Sequence, residues 1–159
     1  MRRRDREITE RRAIADVIES CQCCRLGFCD NGEVYIVPLN FGFEYQKEQP
    51  VFYFHGAKEG RKIGLIEKDP RVGFEMDTGH EVYAKGDPKA ACTYTARFQS
   101  IIGTGKVSMV PGFDEKKHGL ELLMQHAAQT REWSFDEKML NAVAVFKLEV
   151  DSLSCKAHE

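Results

Sequence analysis

The sequence predicts a mainly β fold of the α+β class, a closed or nearly closed antiparallel barrel with flanking helices. Strand-like stretches outnumber helical ones, and the two kinds do not alternate along the chain as they would in a parallel sheet. A strong turn signal, Asp30-Asn31-Gly32, joins the first two strands into a hairpin. The length of 159 residues suits one hydrophobic core, so we expect a single domain over residues 1–159.

The chain opens with an arginine-rich arm and one helix, which together occupy residues 1–20. Residues 10–20 predict an amphipathic helix with Thr9 as its N-cap. The apolar residues at helical spacing are Ile14, Val17, Ile18 and Cys21. The arginines of residues 2–6 either bind an anion or form a solvated arm, which is the more common role of such a cluster.

Two strands surround the hairpin turn, over residues 24–29 and 33–41. Pro38 cannot donate a hydrogen bond to a ladder, so the second strand lies at a sheet edge or is broken there. A break would leave the backbone of residues 37–40 free to contact a ligand, with the side-chain amide of Asn40 available to a planar polar group. The alternative is a simple bulge in which Asn40 is a turn residue.

The second half of the chain continues the β pattern. Residues 71–77 predict a strand with alternating faces, whereas residues 78–91 predict a polar loop that is long enough to be a candidate lid. Residues 93–110 predict one long β stretch, in which Gly103 and Gly105 indicate a bend or a close approach of backbone to a ligand. The last predicted elements are a helix capped by Asp114, a short helix over residues 135–141 and a strand over residues 144–150.

Six cysteines raise the question of a metal site or of disulfides. Four of them lie close together in the sequence: Cys21, Cys23, Cys24 and Cys29. A structural zinc site needs thiols that face one another, but a strand over this segment would turn alternate thiols to opposite faces. The N-terminus shows no export signal, so we expect reduced, mostly buried thiols and no bound metal.

The stretch from residue 51 to residue 68 predicts a strand that leads into a cationic helix. The apolar residues 51–54 are followed by His55, and the helix is predicted over residues 58–68. Its first turns carry three cations: Lys58, Arg61 and Lys62. A helix start presents unpaired N–H groups and a positive dipole end, so a phosphate is the natural ligand, which Gly56 and Gly60 would let the backbone approach. The alternative is a solvated basic turn, because the run matches neither the dinucleotide fingerprint nor the P-loop.

Composition argues against several classes of partner. The net charge of -2 disfavours nucleic acid and an anionic membrane surface. No apolar run approaches the roughly 18 residues of a transmembrane helix, and the charged N-terminus lacks the apolar segment of a secretory signal. A cytoplasmic location is therefore the expectation.

Three separated motifs resemble the nitroimidazole-resistance (Nim) proteins, which belong to the pyridoxamine 5'-phosphate oxidase-like flavoproteins. The motifs are Val37-Pro38-Leu39-Asn40-Phe41-Gly42-Phe43-Glu44, Tyr53-Phe54-His55-Gly56-Ala57-Lys58-Glu59-Gly60-Arg61-Lys62 and Ser100-Ile101-Ile102-Gly103-Thr104-Gly105. Residues 2–8 and 143–147 also look like that family, so the resemblance covers nearly the whole chain in the family's order. Two departures are Gln99, where many relatives carry a basic residue, and residues 152–156, which lack the glycine of the family's usual ending.

The resemblance implies a split antiparallel β-barrel with flanking helices that forms a homodimer and holds FMN at the subunit interface, with FAD left open as an alternative. It implies that residues 37–40 run along the isoalloxazine ring, that residues 55–57 lie at the ring and ribityl chain, and that residues 100–103 line the same pocket. It also implies that Arg61 and Lys62 hold the phosphate. The implied cofactor-binding residues are Val37, Pro38, Leu39, Asn40, His55, Gly56, Ala57, Gly60, Arg61, Lys62, Ser100, Ile101, Ile102 and Gly103.

The same resemblance implies an oxidoreductase in which reduced FMN reduces a small acceptor, such as a nitroimidazole or another nitroaromatic. His55 is the candidate catalytic residue, because a histidine titrates near neutral pH and could orient the substrate or donate a proton. Its alternative role is that of a hydrogen-bonded residue that only shapes the pocket. A function of another class also stays open, namely a non-catalytic flavin- or haem-binding module or redox carrier, because related split barrels bind haem or the deazaflavin F420.

Overall fold

The computed structural model describes residues 3–128 and 133–158. Its strands are β1 (Glu7–Ile8), β2 (Cys24–Asp30), β3 (Glu33–Leu39), β4 (Gly42–Gln46), β5 (Gln49–Gly56), β6 (Arg71–Ala84), β7 (Tyr94–Met109) and β8 (Ala144–His158). Its α-helices are α1 (Arg11–Ser20), α2 (Arg61–Lys68), α3 (Phe113–Ala127) and α4 (Glu137–Ala142), with short 3-10 turns at Arg4–Arg6 and Ala91–Thr93. None of the helices in the two described ranges has both the length and the apolar character that a membrane crossing requires.

All of these strands join one antiparallel sheet. The hydrogen-bonded order is β3-β2-β6-β7-β8-β5-β4, and β1 pairs with the last part of β8. β8 pairs with β5 through its first residues and with β7 along most of its length, so it links the two halves of the sheet. The predicted mainly β fold with flanking helices is confirmed.

Side chains on one face of the sheet form the main core, which also takes in one face of α1 and of α2. Its members include Leu26, Phe52, Phe54, Phe74 and Phe146 from the sheet, Val17 and Ile18 from α1, and Ile63, Leu65 and Ile66 from α2. A second, smaller cluster contains Val51 and Tyr53 of β5 together with Leu120 of α3 and Leu140 of α4. Because side chains alternate along a strand, β5 is buried on both faces, which explains its continuous apolar run.

The β2–β3 hairpin has the tight turn that the sequence predicts. Asn31 and Gly32 have φ angles of 53° and 91°, the left-handed conformation of a two-residue type I′ turn. β3 is the last strand of the sheet, so the edge position predicted from Pro38 is confirmed. Within the described ranges no strand pairs with the outer side of β3.

β6 and β7 correct the loop predicted over residues 78–91. β6 continues to Ala84 and pairs with β7, with a shift in register between Thr78 and Glu81. The sequence pattern did not indicate this part of β6, because its residues are polar and both faces of the two-stranded β6–β7 ribbon are largely exposed. The first residues of β7 provide the hydrogen-bond partners of its backbone. The prediction of a long loop is wrong, because only residues 85–93 connect the two strands. The lid role of this segment stays a prediction.

Several other element ends also differ from those predicted, among them ends of α1, α3 and β8. α1 has Glu10 and not Thr9 at its N-cap, because the first helical bond runs from the N–H of Ile14 to the carbonyl of Glu10. α3 begins after Gly112, which places Asp114 inside the first turn and not at the cap. β8 continues eight residues past its predicted end, because β7 and β1 pair with that extension. Each of these ends depends on a backbone partner that local sequence does not specify.

Candidate functional site

Of the predicted site glycines, Gly60, between β5 and α2, is the one with nothing packed against its backbone. The chain leaves β5 at Gly56, and α2 begins at Arg61, three residues later than predicted, because Gly60 adopts φ 129° and ψ 170°. Only glycine tolerates this conformation at low cost. No side chain caps α2, so the first N–H groups of this eight-residue helix have no partner within it.

Lys62 lies against the end of β5. A Cβ atom on Gly56 would lie 2.9 Å from Cε and 3.1 Å from Nζ of Lys62, so the glycine makes room for the lysine. The half-buried Lys62 forms no ion pair with any other described residue. An ammonium group without a counter-ion at the positive end of a helix is a place where an anion binds favourably.

Arg61 is held in a different way. Its Nε and Nη2 donate to Oδ2 of Asp30 at 3.1 and 2.9 Å, and its guanidinium carbon lies 4.5 Å from the centre of the Tyr35 ring. At the other end of α2, Nζ of Lys68 donates to Oδ1 of Asn31 at 2.6 Å. Arg61 therefore joins α2 to the β2–β3 hairpin and shares its charge with a carboxylate, whereas Lys62 does not.

A further cation reaches this region from α3. Burial, and then the charge of Lys58, lowers the pKa of Lys116 below its ordinary value. Lys116 of α3 is therefore close enough to interact with Lys58, in the connection that leads into α2. Sequence reasoning missed Lys116, because only the packing of α3 against β4 and β5 brings it near Lys58, and no local signal indicates that packing.

α3 is fixed to the sheet by a polar cluster around Glu44. Its carboxylate accepts a hydrogen bond from Gln46 at 2.9 Å, is joined to Nε2 of His118 at 2.9 Å, and accepts from the hydroxyl of Tyr53 at 3.3 Å. Burial alone would raise the pKa of Glu44, but the hydrogen bonds from Gln46 and His118 hold it below the ordinary value. The cluster is therefore a structural link. Among the described residues no group of three or more His, Cys, Asp or Glu side chains could hold a metal ion.

Residues 37–40, at the end of the edge strand β3, alternate between two environments. Val37 and Leu39 are half-buried against the main core, whereas Pro38 and Asn40 are exposed. Because β3 is an edge strand, the backbone groups on its outer side have no ladder partner in the described part of the chain and can contact a ligand.

His55 and Ala57 are both exposed. His55 pairs through its backbone with Val145 of β8, and its ring makes no hydrogen bond to another described residue. The imidazole is therefore accessible to a small molecule. Its predicted catalytic role remains a prediction.

Residues 100–103 occupy the packed middle of β7. Ile101 is buried in the core, while on the opposite face Ser100 is buried and Ile102 is 53% exposed. A Cβ atom on Gly103 would lie 2.4 Å from the ring of Phe74 and 2.5 Å from the carbonyl oxygen of Ser152, so this glycine serves core packing. The close approach predicted at this position is to the protein's own core.

Followed along the sheet, residues 100–103 lie well away from both β3 and the end of β5. Gly103 lies in register with Phe74, Leu26 and Val37 across four strands, which places it about 14 Å from β3 at roughly 4.8 Å per strand. Along β7, nine residues separate Ser100 from Met109, a distance of about 30 Å at ~3.3 Å per residue. Met109 pairs with Phe146 of β8. Phe146 also pairs with Phe54 of β5, the residue that precedes His55.

Comparison with known proteins identifies the family of this chain. The family model described as "Pyridoxamine 5'-phosphate oxidase" matches residues 10–157. The chain belongs to this family. The resemblance inferred from the motifs is thereby confirmed, and no curated protein matches the chain.

Several solved structures are also similar to this chain. A protein named as a candidate 5-nitroimidazole antibiotic resistance protein from Bacteroides thetaiotaomicron VPI-5482 is 28% identical, with a TM-score of 0.79 over 96% of this chain and 90% of that chain. The flavocytochrome Anf3 from Azotobacter vinelandii is 17% identical, with a TM-score of 0.77 over 100% of this chain and 72% of that chain. The FAD and haem binding protein from Mycobacterium smegmatis is 16% identical, with a TM-score of 0.78 over 97% and 74%. The last two likenesses concern the fold, and the split-barrel fold class is confirmed.

Proposed function

We propose that this member of the pyridoxamine 5'-phosphate oxidase family is an FMN-binding oxidoreductase that reduces a small acceptor such as a nitroimidazole or another nitroaromatic. The observation that carries the proposal is the Lys62 ammonium, which lies without an ion-pair partner among the described residues against Gly56, at the uncapped start of α2. The names of the structural neighbours, which include an FAD and haem binding protein and a 5-nitroimidazole resistance protein, support the cofactor class and the acceptor.

Lys62 and the first N–H groups of α2 would hold the FMN phosphate through charge-assisted hydrogen bonds. Arg61 would add the N–H groups that Asp30 does not engage. The free edge of residues 37–40 would align the planar ring system. Bound FMN supplies the redox chemistry, accepting electrons from a reductant and passing them to the acceptor.

His55 would hold the proton that the acceptor needs as it is reduced. Its exposed ring has no hydrogen-bond partner among the described residues that would prevent it from turning toward a substrate. A histidine is suited to this role because it exchanges a proton near neutral pH.

A homodimer belongs to the proposal. Followed along the sheet, residues 100–103 are remote from the start of α2, and a second chain could supply these residues to the pocket instead. The outer face of the sheet carries exposed apolar side chains, Val34 at 75%, Ile36 at 61% and Ile102 at 53% exposure, which a second copy would cover. Sedimentation of a flavin-loaded monomer would contradict this part of the proposal.

The proposal is tested first by cofactor binding. We expect Lys62→Ala to weaken FMN binding by about 1.5–3 kcal/mol, as expected for the loss of a charge-assisted hydrogen bond, and to leave riboflavin binding almost unchanged. Lys89→Ala is the charge-matched control, because Lys89 is an exposed lysine in the connection between β6 and β7 and not on α2. Flavin fluorescence titration measures each affinity, and an equal loss for FMN and riboflavin would place Lys62 away from the phosphate. Parallel titration with FAD compares the two flavins.

A second experiment separates an enzyme from a carrier. We expect His55→Ala to bind FMN normally and to slow reoxidation of the reduced flavin by a nitroaromatic by about 10²–10⁴-fold, the usual effect of losing a general acid. Rapid-mixing absorbance measures both rates. A non-catalytic flavin carrier would react slowly in both forms, and a haem carrier would show a haem spectrum after reconstitution.

A further inference from the structure

The side chains of His55 and Lys62 lie on opposite faces of the sheet at the end of β5. β5 pairs with β8 without a break from Val51 to Gly56, so its side chains alternate regularly between the two faces. The position that a Cβ on Gly56 would occupy faces Lys62. Tyr53, two residues before His55, packs instead in the second cluster, together with α3. The His55 ring is therefore on the α3 face, away from the proposed phosphate site at Lys62.

α3 crosses this face at the level of Tyr53. At its start, Glu115 pairs at 2.6 Å with Lys147 of β8, which is the register partner of Tyr53. One turn later, Gly119 lies on the Tyr53 ring, because a Cβ on this glycine would be 2.6 Å from a ring carbon. The helix therefore passes from β8 over β5, and His55, two residues further along β5, lies beside it.

The two long sides of α3 face opposite ends of β5. His118 is joined through Nε2 at 2.9 Å to Glu44 of β4, which pairs with the first half of β5. Lys116 is on the other side of the helix, since two residues turn an α-helix by about 200°. Burial lowers the pKa of Lys116, and so does the charge of Lys58, which follows the end of β5. Lys116 therefore faces the end of β5 where His55 and Lys58 are.

The two lysines have no carboxylate partner in the described part of the chain. Neither Lys58 nor Lys116 forms an ion pair there. Glu115 is engaged by β8, Asp114 lies on the other side of α3, and the exposed Glu59 pairs with neither lysine. Two ammonium groups held near each other without a carboxylate between them favour the binding of an external anion.

Phe113 adds an aromatic surface to the same side of α3. It is three residues before Lys116, so the two side chains are neighbours on the helix, and Phe113 is 44% exposed. The segment that leads into α3 passes beside His55, because the N–H of Val110 donates at 2.9 Å to the carbonyl of Val145, the register partner of His55. We name these four side chains, His55, Lys58, Phe113 and Lys116, the His55–Lys116 cluster.

We propose that the His55–Lys116 cluster binds an aromatic carboxylate, so that the preferred acceptor of this protein carries a carboxylate group beside its reducible group. The two oxygens of a carboxylate can each accept a hydrogen bond from one of the two lysines, and Phe113 would pack against the ring of the ligand. The inference rests on the proposed function, because the ligand is the acceptor that His55 would serve. It adds the substrate class, which the phosphate site at Lys62 does not determine.

The test compares para-nitrobenzoate with para-nitrobenzamide, a ligand of similar shape without the charge. Calorimetry at constant ionic strength measures both affinities on protein saturated with oxidised FMN, in the absence of a reductant. Chemical shifts of the His55 imidazole and of the amides of residues 55–60 and 113–117 locate the bound ligand. We expect para-nitrobenzoate to bind with a Kd of about 1 mM or tighter, and at least about fivefold more tightly than the amide. Absence of binding at ~10 mM, equal affinities, or shifts confined to other residues would overturn the proposal.

Variants of single lysines make the assignment specific. Lys116→Met keeps the apolar stem and removes the charge, so it should weaken para-nitrobenzoate binding roughly tenfold and bring the ratio of the two affinities close to one. Lys58→Met should weaken it about threefold, because Lys58 is exposed. Lys117→Met is the matched control, since Lys117 is the next residue of α3 and pairs with Glu121 at 3.8 Å; it should keep the parent's ratio. A parental ratio in both the Lys58 and the Lys116 variants would overturn the proposal.

Two further measurements separate this subsite from the proposed function. If para-nitrobenzoate binds at the cluster and the reduced protein does not reduce it, the proposed function fails and the carboxylate subsite stands. If both compounds are reduced with the same KM, the proposed function stands and the subsite fails. FMN and riboflavin titrations of Lys116→Met complete the test: a loss of FMN affinity alone would assign this lysine to the FMN phosphate and overturn the proposal.

Discussion

Two regions of this molecule contain the glycines that the sequence singles out, and they use those glycines in opposite ways. At the start of α2, Gly60 has open space where a Cβ would be, and Gly56 borders only the flexible end of Lys62. In the middle of β7, a Cβ on Gly103 would meet an aromatic ring and a carbonyl, and one on Gly105 would lie 2.3 Å from the carbonyl oxygen of Glu149. The first region is open to a ligand, and the second is filled by the protein itself.

This difference shows that a glycine pattern in the sequence indicates that some group comes close to the backbone. The pattern does not indicate whether that group belongs to a ligand or to the protein itself. Both regions belong to motifs that resemble the same family, yet only the start of α2 leaves its glycines free of contact with the core. Substituting alanine for glycine separates the two cases, because a packed position loses stability and a ligand-facing position loses binding.

The largest effect is expected at Gly103. Gly103→Ala places a methyl group within 2.4 Å of the Phe74 ring and 2.5 Å of a carbonyl oxygen, so core and backbone must both move. We expect the free energy of unfolding to fall by about 3 kcal/mol, the upper part of the range for overpacking. Urea denaturation measures the change.

Gly64→Ala is the matched control for this prediction. Gly64 lies within α2 and has nothing within 4 Å of the position that a methyl group would occupy, so alanine there should raise the free energy of unfolding by about 0.5–1 kcal/mol through its better helix propensity. A loss of less than about 0.5 kcal/mol for Gly103→Ala would mean that the middle of β7 is not tightly packed, and the contrast between the two regions would disappear.

Local signals in the sequence predicted much of the fold. The Asn31-Gly32 turn, the edge position of β3 and the helix α1 each follow from a few neighbouring residues, and the structure contains all three. The extension of β6 past residue 77 and of β8 past residue 150 could not be predicted in this way. Their apolar residues are few and follow no clear period, and the partners of β8 on β7 are distant in the sequence.

The candidate site shows the same division. The cations at the start of α2 are visible in the sequence because a strand, glycines and a helix follow one another within about a dozen residues. The pairing of Arg61 with Asp30, 31 residues earlier, was not visible, and neither was the position of Lys116. Both depend on how α2 and α3 pack against the sheet. The sequence therefore shows which residues are cationic, but it does not show which of them is free to bind an anion.

A smaller effect is expected at Gly56, and it concerns binding. Gly56→Ala would push against Cε and Nζ of Lys62, which can swing away, so the free energy of unfolding should change by less than about 1 kcal/mol. The displaced ammonium should weaken FMN binding roughly tenfold, which is about 1.4 kcal/mol. Fluorescence titration alongside urea denaturation gives both values. Unchanged FMN affinity together with a large loss of stability would mean that Gly56, like Gly103, serves core packing and not ligand binding.

The smallest expected effect concerns pH and the buried thiols of the packed region. Cys155 of β8 is the register partner of Ile101 on β7, and burial raises its pKa to about 11. An unfolded thiol has a pKa of ~8.5, so above that pH the unfolded chain loses a proton that the folded chain keeps. The stabilising contribution is complete below about pH 8.5 and is lost as the pH rises toward 11.

Cys155→Ala removes this pH-dependent contribution to the free energy of unfolding. The smaller alanine side chain also lowers stability at every pH. Between pH 8 and pH 9.5 we therefore expect the variant to lose about 1 kcal/mol less than the parent does, since one thiol contributes up to about 1.4 kcal/mol per pH unit. Urea denaturation under reducing conditions at the two pH values measures the difference. Cys29→Ala is the control: Cys29 is exposed near the α2 end of β2, so this variant should follow the parent. Parallel pH dependence in all three proteins would show that Cys155 ionises as freely in the folded chain as in the unfolded one, and the β7–β8 region would then be as open as the start of α2.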